Sequence, residues 1–187
     1  MDKIYTKSGD YGYTTNFLGK KCFKGDIEIE LQGQIDKVNS EIGFLRSLVN
    51  DIETTTDKSN SYDLDNILKK IQYQLYLVGI EISMEFTKEH ILEDDINFLE
   101  KNIDFLIYNT KPMDTFIYYS GSKESTFSHI IRSEIRKSEI IFARLFQNRN
   151  YPVSYKYINR LSDYFFALSR YLNNLNNISD EPLKHIK

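Results

Sequence analysis

Ten consecutive positions, Thr6-Lys7-Ser8-Gly9-Asp10-Tyr11-Gly12-Tyr13-Thr14-Thr15, gather hydroxyls, a lysine and two glycines ahead of any apolar periodicity. Glycine lets a ligand approach the main chain closely. Ser and Thr hydroxyls with exposed backbone N–H groups form a cradle for phosphate oxygens. The alternative for such a segment is a frayed tail. A second cluster is basic. Over 123–149 the cations are Lys123, Arg132, Arg136, Lys137, Arg144 and Arg149, against the anions Glu124, Glu134 and Glu139. Arg132, Arg136 and Glu139 share one helical face by their i, i+4, i+7 spacing. That face is either a solvated surface or a phosphate clamp, since arginine offers phosphate a bidentate fork. Asp36, Asn39 and Ser40 form a polar stripe with Gly33 and Gly43 around it. A helix-interior glycine costs about 1 kcal/mol. The pair therefore marks either close approach of a helix or ligand, or exposed positions. Asn159 sits in Tyr157-Ile158-Asn159-Arg160-Leu161-Ser162-Asp163 beside an apolar stripe. Asparagine is a poor helix-interior residue, so it either caps a partner or binds something.

The elements that must position these residues are helical. Leu31, Ile35, Val38, Ile42, Leu45 and Val49 alternate steps of four and three, which places them on one helical face. Leu64, Leu68, Ile71, Leu75, Val78 and Ile82 repeat the pattern, and Ile96, Leu99, Ile103 and Leu106 form a shorter third run. A fourth segment, roughly 123–149, carries Ile131, Ile135, Phe142 and Leu145; a fifth carries Ile158, Leu161, Phe165, Leu168, Leu172 and Leu175. Breaks fall at Asp51 to Ser61, Glu85 to Asp95, Lys111-Pro112, Ser120-Gly121-Ser122 and Asn150-Tyr151-Pro152, where Pro152 suits a first helical turn. The spacing predicts an all-α, antiparallel five-helix bundle. A single domain is expected over 1–187: an N-terminal loop over 1–25, the bundle over 26–175 and a loose tail over 176–187.

The net charge of −3 gives no general reason to expect nucleic acid or an acidic membrane as partner. One cysteine, Cys22, excludes an intrachain disulfide, suits a reducing compartment and reads as an ordinary loop residue. No apolar run reaches about 18 residues and no signal peptide is visible, so a cytoplasmic protein is expected. There is no GxxxxGK[ST] loop and no GxGxxG. His90, His129 and His185 are scattered, without metal-ligand spacing. No tightly held transition metal is expected.

Taken in order, these pieces resemble the PduO-type ATP:cob(I)alamin adenosyltransferases. The resemblance rests on Thr-Lys-Ser-Gly-Asp-x-Gly from Thr6, then Lys24, then Gly33, Asp36, Asn39 and Ser40. It continues through Ile71-Gln72 with Leu75 and Gly79, the Arg-rich fourth helix, and Asn159-Arg160-Leu161-Ser162-Asp163. It implies homotrimers with active sites between subunits. It also implies attack of cob(I)alamin on the 5′ carbon of ATP, release of triphosphate, and Mg²⁺ held mainly by the nucleotide. By position, the ATP residues would be Thr6, Lys7, Ser8, Gly9, Thr14, Thr15, Lys24, Arg136, Lys137, Ser138, Glu139, Ile140 and Asn159. Asp36 and Arg132 match a pair that bridges subunits near the corrin. Phe116 matches the aromatic that displaces the lower axial ligand of cobalt. Arg136, Lys24 and Phe116 would be the catalytic residues. A cob(II)alamin reductase and a cobalamin-dependent enzyme are the further partners that the resemblance suggests.

This chain departs from the family pattern in places. An Arg-Arg-x-Glu-Arg run reads Arg136-Lys137-Ser138-Glu139-Ile140, Leu-Pro-Gly reads Tyr119-Ser120-Gly121, and Asp-Glu reads Asp36-Lys37. Lysine is a point charge without the arginine fork. The competing readings are a non-catalytic ATP- or corrinoid-binding sensor or carrier, and a plain helical scaffold.

Overall fold

The computed structural model describes residues 4–49 and 62–183; the polar Asp51–Ser61 break lies outside them. Five helices dominate: α1 (Ile27–Val49), α2 (Leu64–Ser83), α3 (Glu93–Tyr108), α4 (Lys123–Leu145) and α5 (Val153–Leu175). The apolar stripes are the core. All six residues named on α1 and all six on α2 are buried, as are Ile131, Ile135, Phe142, Ile158, Leu161, Phe165, Leu168 and Leu172.

Residue pairs across the helix seams fix their directions. Asn39 meets Gln72 and Arg46 meets Asp65, so α1 and α2 are antiparallel. Glu30 meets Arg144, and Phe44 packs on Phe127, so α1 and α4 are antiparallel as well. Glu139 meets Asn159 and Ser122 meets Asn173, which makes α4 and α5 antiparallel. Between α3 and α5, Glu93 meets Lys156 and Glu100 meets Arg160, so that pair runs parallel. The chain thus goes up and down through five helices, with α1 and α4 as a central seam. The ends differ. One gathers the start of α1 and the ends of α2 and α4; the other gathers the start of α4 and the ends of α3 and α5.

Sequence periodicity missed one element. Strands β1 (Tyr13–Thr15) and β2 (Lys21–Phe23) form an antiparallel hairpin with Thr14 opposite Cys22, which puts Cys22 in a strand instead of a loop. Asn16 makes the turn, its Oδ1 accepting from the N–H groups of Leu18 and Lys20, a side-chain mimic of a backbone turn. Pro152 is the N-cap residue of α5, just outside the first turn. Arg149 falls past the end of α4. The tail expected to be loose is instead tied down over 176–183. Ile178 N–H donates to the Asn173 carbonyl at 2.9 Å, Tyr118 N–H to Glu181 at 2.9 Å, and Leu183 N–H to Phe116 at 2.8 Å. Backbone groups that would otherwise stay unpaired beside a loop thus find partners in it.

Candidate active site

The 6–12 loop is a compact turn that Lys24 staples. Thr6 Oγ1 and Ser8 Oγ lie 2.7 Å apart, and the Lys24 ammonium donates to the Gly9 carbonyl at 2.9 Å. A β-carbon on Gly9 would come within 2.7 Å of the Lys24 Nζ, so glycine is what lets the lysine close over the loop. Lys7 takes a positive φ of 60° and Gly12 one of 79°, turning the main chain on either side of Ser8 and Gly9. The hairpin docks on the end of α2, where Phe17 N–H donates to Ser83 Oγ at 3.0 Å and Lys20 bridges Glu85 at 2.8 Å.

Behind this loop, residues of α1 and α2 line a cleft of about 550 Å³. Lys24, Thr14 and Phe17 form its rim, and Gly33, Asp36, Asn39, Tyr76 and Gly79 line its wall. Gly33 and Gly79 have nothing within 4 Å of a hypothetical β-carbon. Gly33 therefore marks open space, while Gly43 has Gln72 at 3.3 Å and marks close helix approach. Asn39 Oδ1 is buried without a hydrogen-bond partner among the described residues, an acceptor left over beside the cleft. Sequence reading missed Phe17 and Tyr76. Tyr76 could have been found as a residue off the α2 apolar stripe, three positions before Gly79.

The second group lies on α4 and α5. Arg136 and Lys137 are exposed, Ser138 is buried, and Ile140 is 61% exposed. Asn159 Nδ2 donates to Glu139 Oε1 at 2.7 Å across the helix seam, so these two are brought together. Neither Arg136 nor Asn159 lines the α1/α2 cleft.

Helix geometry explains the separation. Gln34 faces α4, donating to Glu134 Oε2 at 2.8 Å, and Lys37 bridges the same carboxylate at 2.7 Å. The hydrogen bond from Lys37, then that from Gln34, holds the Glu134 carboxyl below its ordinary range. Asp36 is two residues from Gln34, about 200° around the helix, and so points away from α4. Arg132 and Arg136 are each two residues from Glu134, so both point away from α1 by the same rotation. Asp36 makes no ion pair among the described residues. Arg132 instead donates to the Tyr119 hydroxyl at 3.4 Å, with its guanidinium 5.5 Å from the Tyr119 ring centre and 5.4 Å from that of Phe166. Within one chain the two halves face opposite sides of the α1/α4 seam.

A larger cavity of about 1020 Å³ opens at the other end of the bundle, lined by Met113, Phe116, Tyr118, Tyr119, Arg132 and Phe166 among others. Phe116 stands 81% exposed at its edge. Behind Tyr119, the buried His129 ring stacks at 4.4 Å. Burial, with Arg132 alongside, pushes His129 down to about 4, so the imidazole is neutral near pH 7. Sequence reading also missed Phe166 and Arg170. The one signal for Arg170 was its charge inside the apolar run Tyr164–Leu172.

Three comparisons bear on this arrangement. The sequence model of the cobalamin adenosyltransferase family matches residues 4–172. The corrinoid adenosyltransferase of Bacillus subtilis (strain 168) is 31% identical over 181 residues, spanning 95% of this chain and 90% of that protein. The corrinoid adenosyltransferase MMAB of Mus musculus is 34% identical over 180 residues, spanning 91% of this chain and 73% of that protein. Among solved structures, a phenylalanine-to-alanine variant of a PduO-type ATP:corrinoid adenosyltransferase from Lactobacillus reuteri, complexed with cobalamin and ATP, aligns with a TM-score of 0.85. The identity is 28%, over 98% of this chain and 100% of that one.

Proposed function

This chain belongs to the cobalamin adenosyltransferase family, and from that premise we infer that it transfers the 5′-deoxyadenosyl group of ATP to the cobalt of cob(I)alamin. In that reaction the Co(I) electron pair forms the bond to C5′. The C5′–O bond breaks with its electrons going to triphosphate. Cob(I)alamin is itself a strong nucleophile, so no general base is required. The chain's own work is to place C5′ near cobalt, a contribution of several kcal/mol, and to stabilise charge on the leaving triphosphate. The observation that carries this reading is the family match over 4–172, which takes in the α1/α2 cleft, the α4/α5 cluster and Phe116.

We assign ATP to Thr6, Lys7, Ser8, Gly9, Thr14, Thr15 and Lys24 on one side, and to Arg136, Lys137, Ser138, Glu139, Ile140 and Asn159 on the other, with Lys24, Arg136 and Lys137 as the cations for its triphosphate. The paired Thr6 and Ser8 hydroxyls, with the Lys24 ammonium on the Gly9 carbonyl, support the first half. The exposed Arg136 beside the Glu139–Asn159 pair supports the second. Mg²⁺ is carried mainly on the triphosphate in this reading. Phe116 fills the lower face of the corrin, which excludes water and makes reduction to Co(I) easier.

The two halves face away from each other, so the active site takes one half from each of two chains. Different surfaces then meet at the contact, and a head-to-tail contact of this kind forms a ring when the rotation between subunits closes; a homotrimer is the proposed assembly, with Asp36 of one subunit meeting Arg132 of the next. A reductase would supply Co(I), and a cobalamin-dependent enzyme would take the product. Among the described residues no helix is long and apolar enough to cross a membrane, and a cytoplasmic setting is proposed.

The test is purified protein with cobalamin, a reductant, ATP and Mg²⁺, followed by absorbance and triphosphate assay. Adenosylcobalamin and triphosphate should appear together. ATP binding with neither product would favour the carrier reading instead.

A further inference from the structure

Arg170 is the single charge in the run Tyr164–Leu172 and is only 8% exposed. Its Nε donates to Asp180 Oδ2 at 2.8 Å and its Nη2 to the Lys111 carbonyl at 2.6 Å. Neither acceptor belongs to a helix. Lys111 begins the loop that carries Phe116, and Asp180 lies in the segment after α5. These two segments also pair directly. Ile117 and Pro182 form an antiparallel bridge, and Leu183 N–H donates to the Phe116 carbonyl at 2.8 Å. Phe116, Leu183 and Arg170 all line the 1020 Å³ cavity. One buried guanidinium therefore joins α5, the Phe116 loop and the C-terminal segment.

A buried arginine is tolerated where its donors are met, and losing one partner leaves an uncompensated charge. Its planar fork serves two acceptors in different directions, which an ammonium on a flexible stem does not reproduce. Arg170 is met by two irregular segments, one of which carries Phe116, 81% exposed at the cavity edge.

We propose that Arg170 is a positioning residue for the adenosyl transfer: it locks the 111–119 loop and the 178–183 segment into one unit that holds Phe116 against the corrin face. The proposal rests on the reading of Phe116 as the corrin-side residue. Asp180 is its second member, and Leu183 is carried into the cavity wall by the same unit.

The experiment compares Arg170→Met, Arg170→Lys and Asp180→Asn with the parent protein. It measures the KM values for cobalamin and for ATP, and the four-coordinate cob(II)alamin signal in the presence of ATP. Arg170→Met and Asp180→Asn should raise the cobalamin KM about tenfold and weaken the four-coordinate signal, with the ATP KM unmoved. Arg170→Lys should recover part of both effects. Asp180 lies outside the helices, so its variant keeps the test open if Arg170→Met does not fold. Unchanged cobalamin KM and signal in both Arg170→Met and Asp180→Asn would overturn the proposal. So would an equal rise in the ATP KM, which would mark general loosening. Phe116→Ala is the control. If it leaves the four-coordinate signal intact, the Phe116 reading fails, and the cobalamin KM alone then scores the clamp.

Discussion

Arg136 is exposed and makes no ion pair among the described residues. An unpaired cation beside Glu139 and Asn159 has no folding role to lose, so Arg136→Ala should shift stability by no more than about 0.5 kcal/mol. Turnover should fall by about 10²–10³, the usual effect of removing one donor aimed at developing charge. Steady-state kinetics beside a thermal melt would check both, and an active Arg136→Ala protein would remove this residue from the phosphate clamp. His129 makes the opposite case, a group with a folding role. It is held neutral down to about 4, whereas an unfolded histidine titrates near its ordinary 6.5. Between those values the unfolded chain binds the extra proton and the folded one does not. The stability contributed by a neutral His129 is therefore full above pH 6.5 and lost as pH falls toward 4. Melting temperature measured across that window should drop less in His129→Gln than in the parent.

At the scale of elements, α5 organises the end of the bundle that carries Phe116. Asn173 on its last turns accepts from Ser122 N–H at 3.0 Å and donates to the Ser120 carbonyl at 3.1 Å. Between those residues Gly121 takes a φ of +119°, and a β-carbon there would run into the Asn173 side chain. Position 121 thus needs glycine on both counts, conformation and space. Gly121→Ala should cost at least about 1–3 kcal/mol, measured by urea denaturation. The hairpin was illegible for a physical reason: three-residue strands carry too few side chains to show a period. The pinned tail was illegible for another. Its main-chain pairs are with the Phe116 loop and with Asn173 of α5, and main-chain pairing leaves no compositional trace.

At the scale of the whole molecule, the two halves proposed for the ATP site sit on opposite sides of the α1/α4 seam, and on that proposal activity depends on assembly. Lys24→Ala and Arg136→Ala chains should each be inactive alone. Refolded together in equal amounts, they should regain activity at about a quarter of the sites, those taking an intact half from each chain. No recovery on mixing would place the whole site within one chain. Sedimentation of the parent protein should give a trimer.

The sequence by itself determined the helical stripes, the phosphate-friendly loop, the basic turn of α4 and the Asn159 motif. Each of these is a local pattern of residue type and spacing, and local patterns follow from helix period and side-chain chemistry alone. The tertiary structure decided which of them meet. It set Glu139 against Asn159, turned Asp36 and Arg132 to opposite sides of one seam, and tied Phe116 to the chain's far end through Arg170. Those outcomes depend on how helices rotate about their axes when their apolar faces are buried together. A spacing along the chain records the residues on a face, but not the neighbour that the face will find.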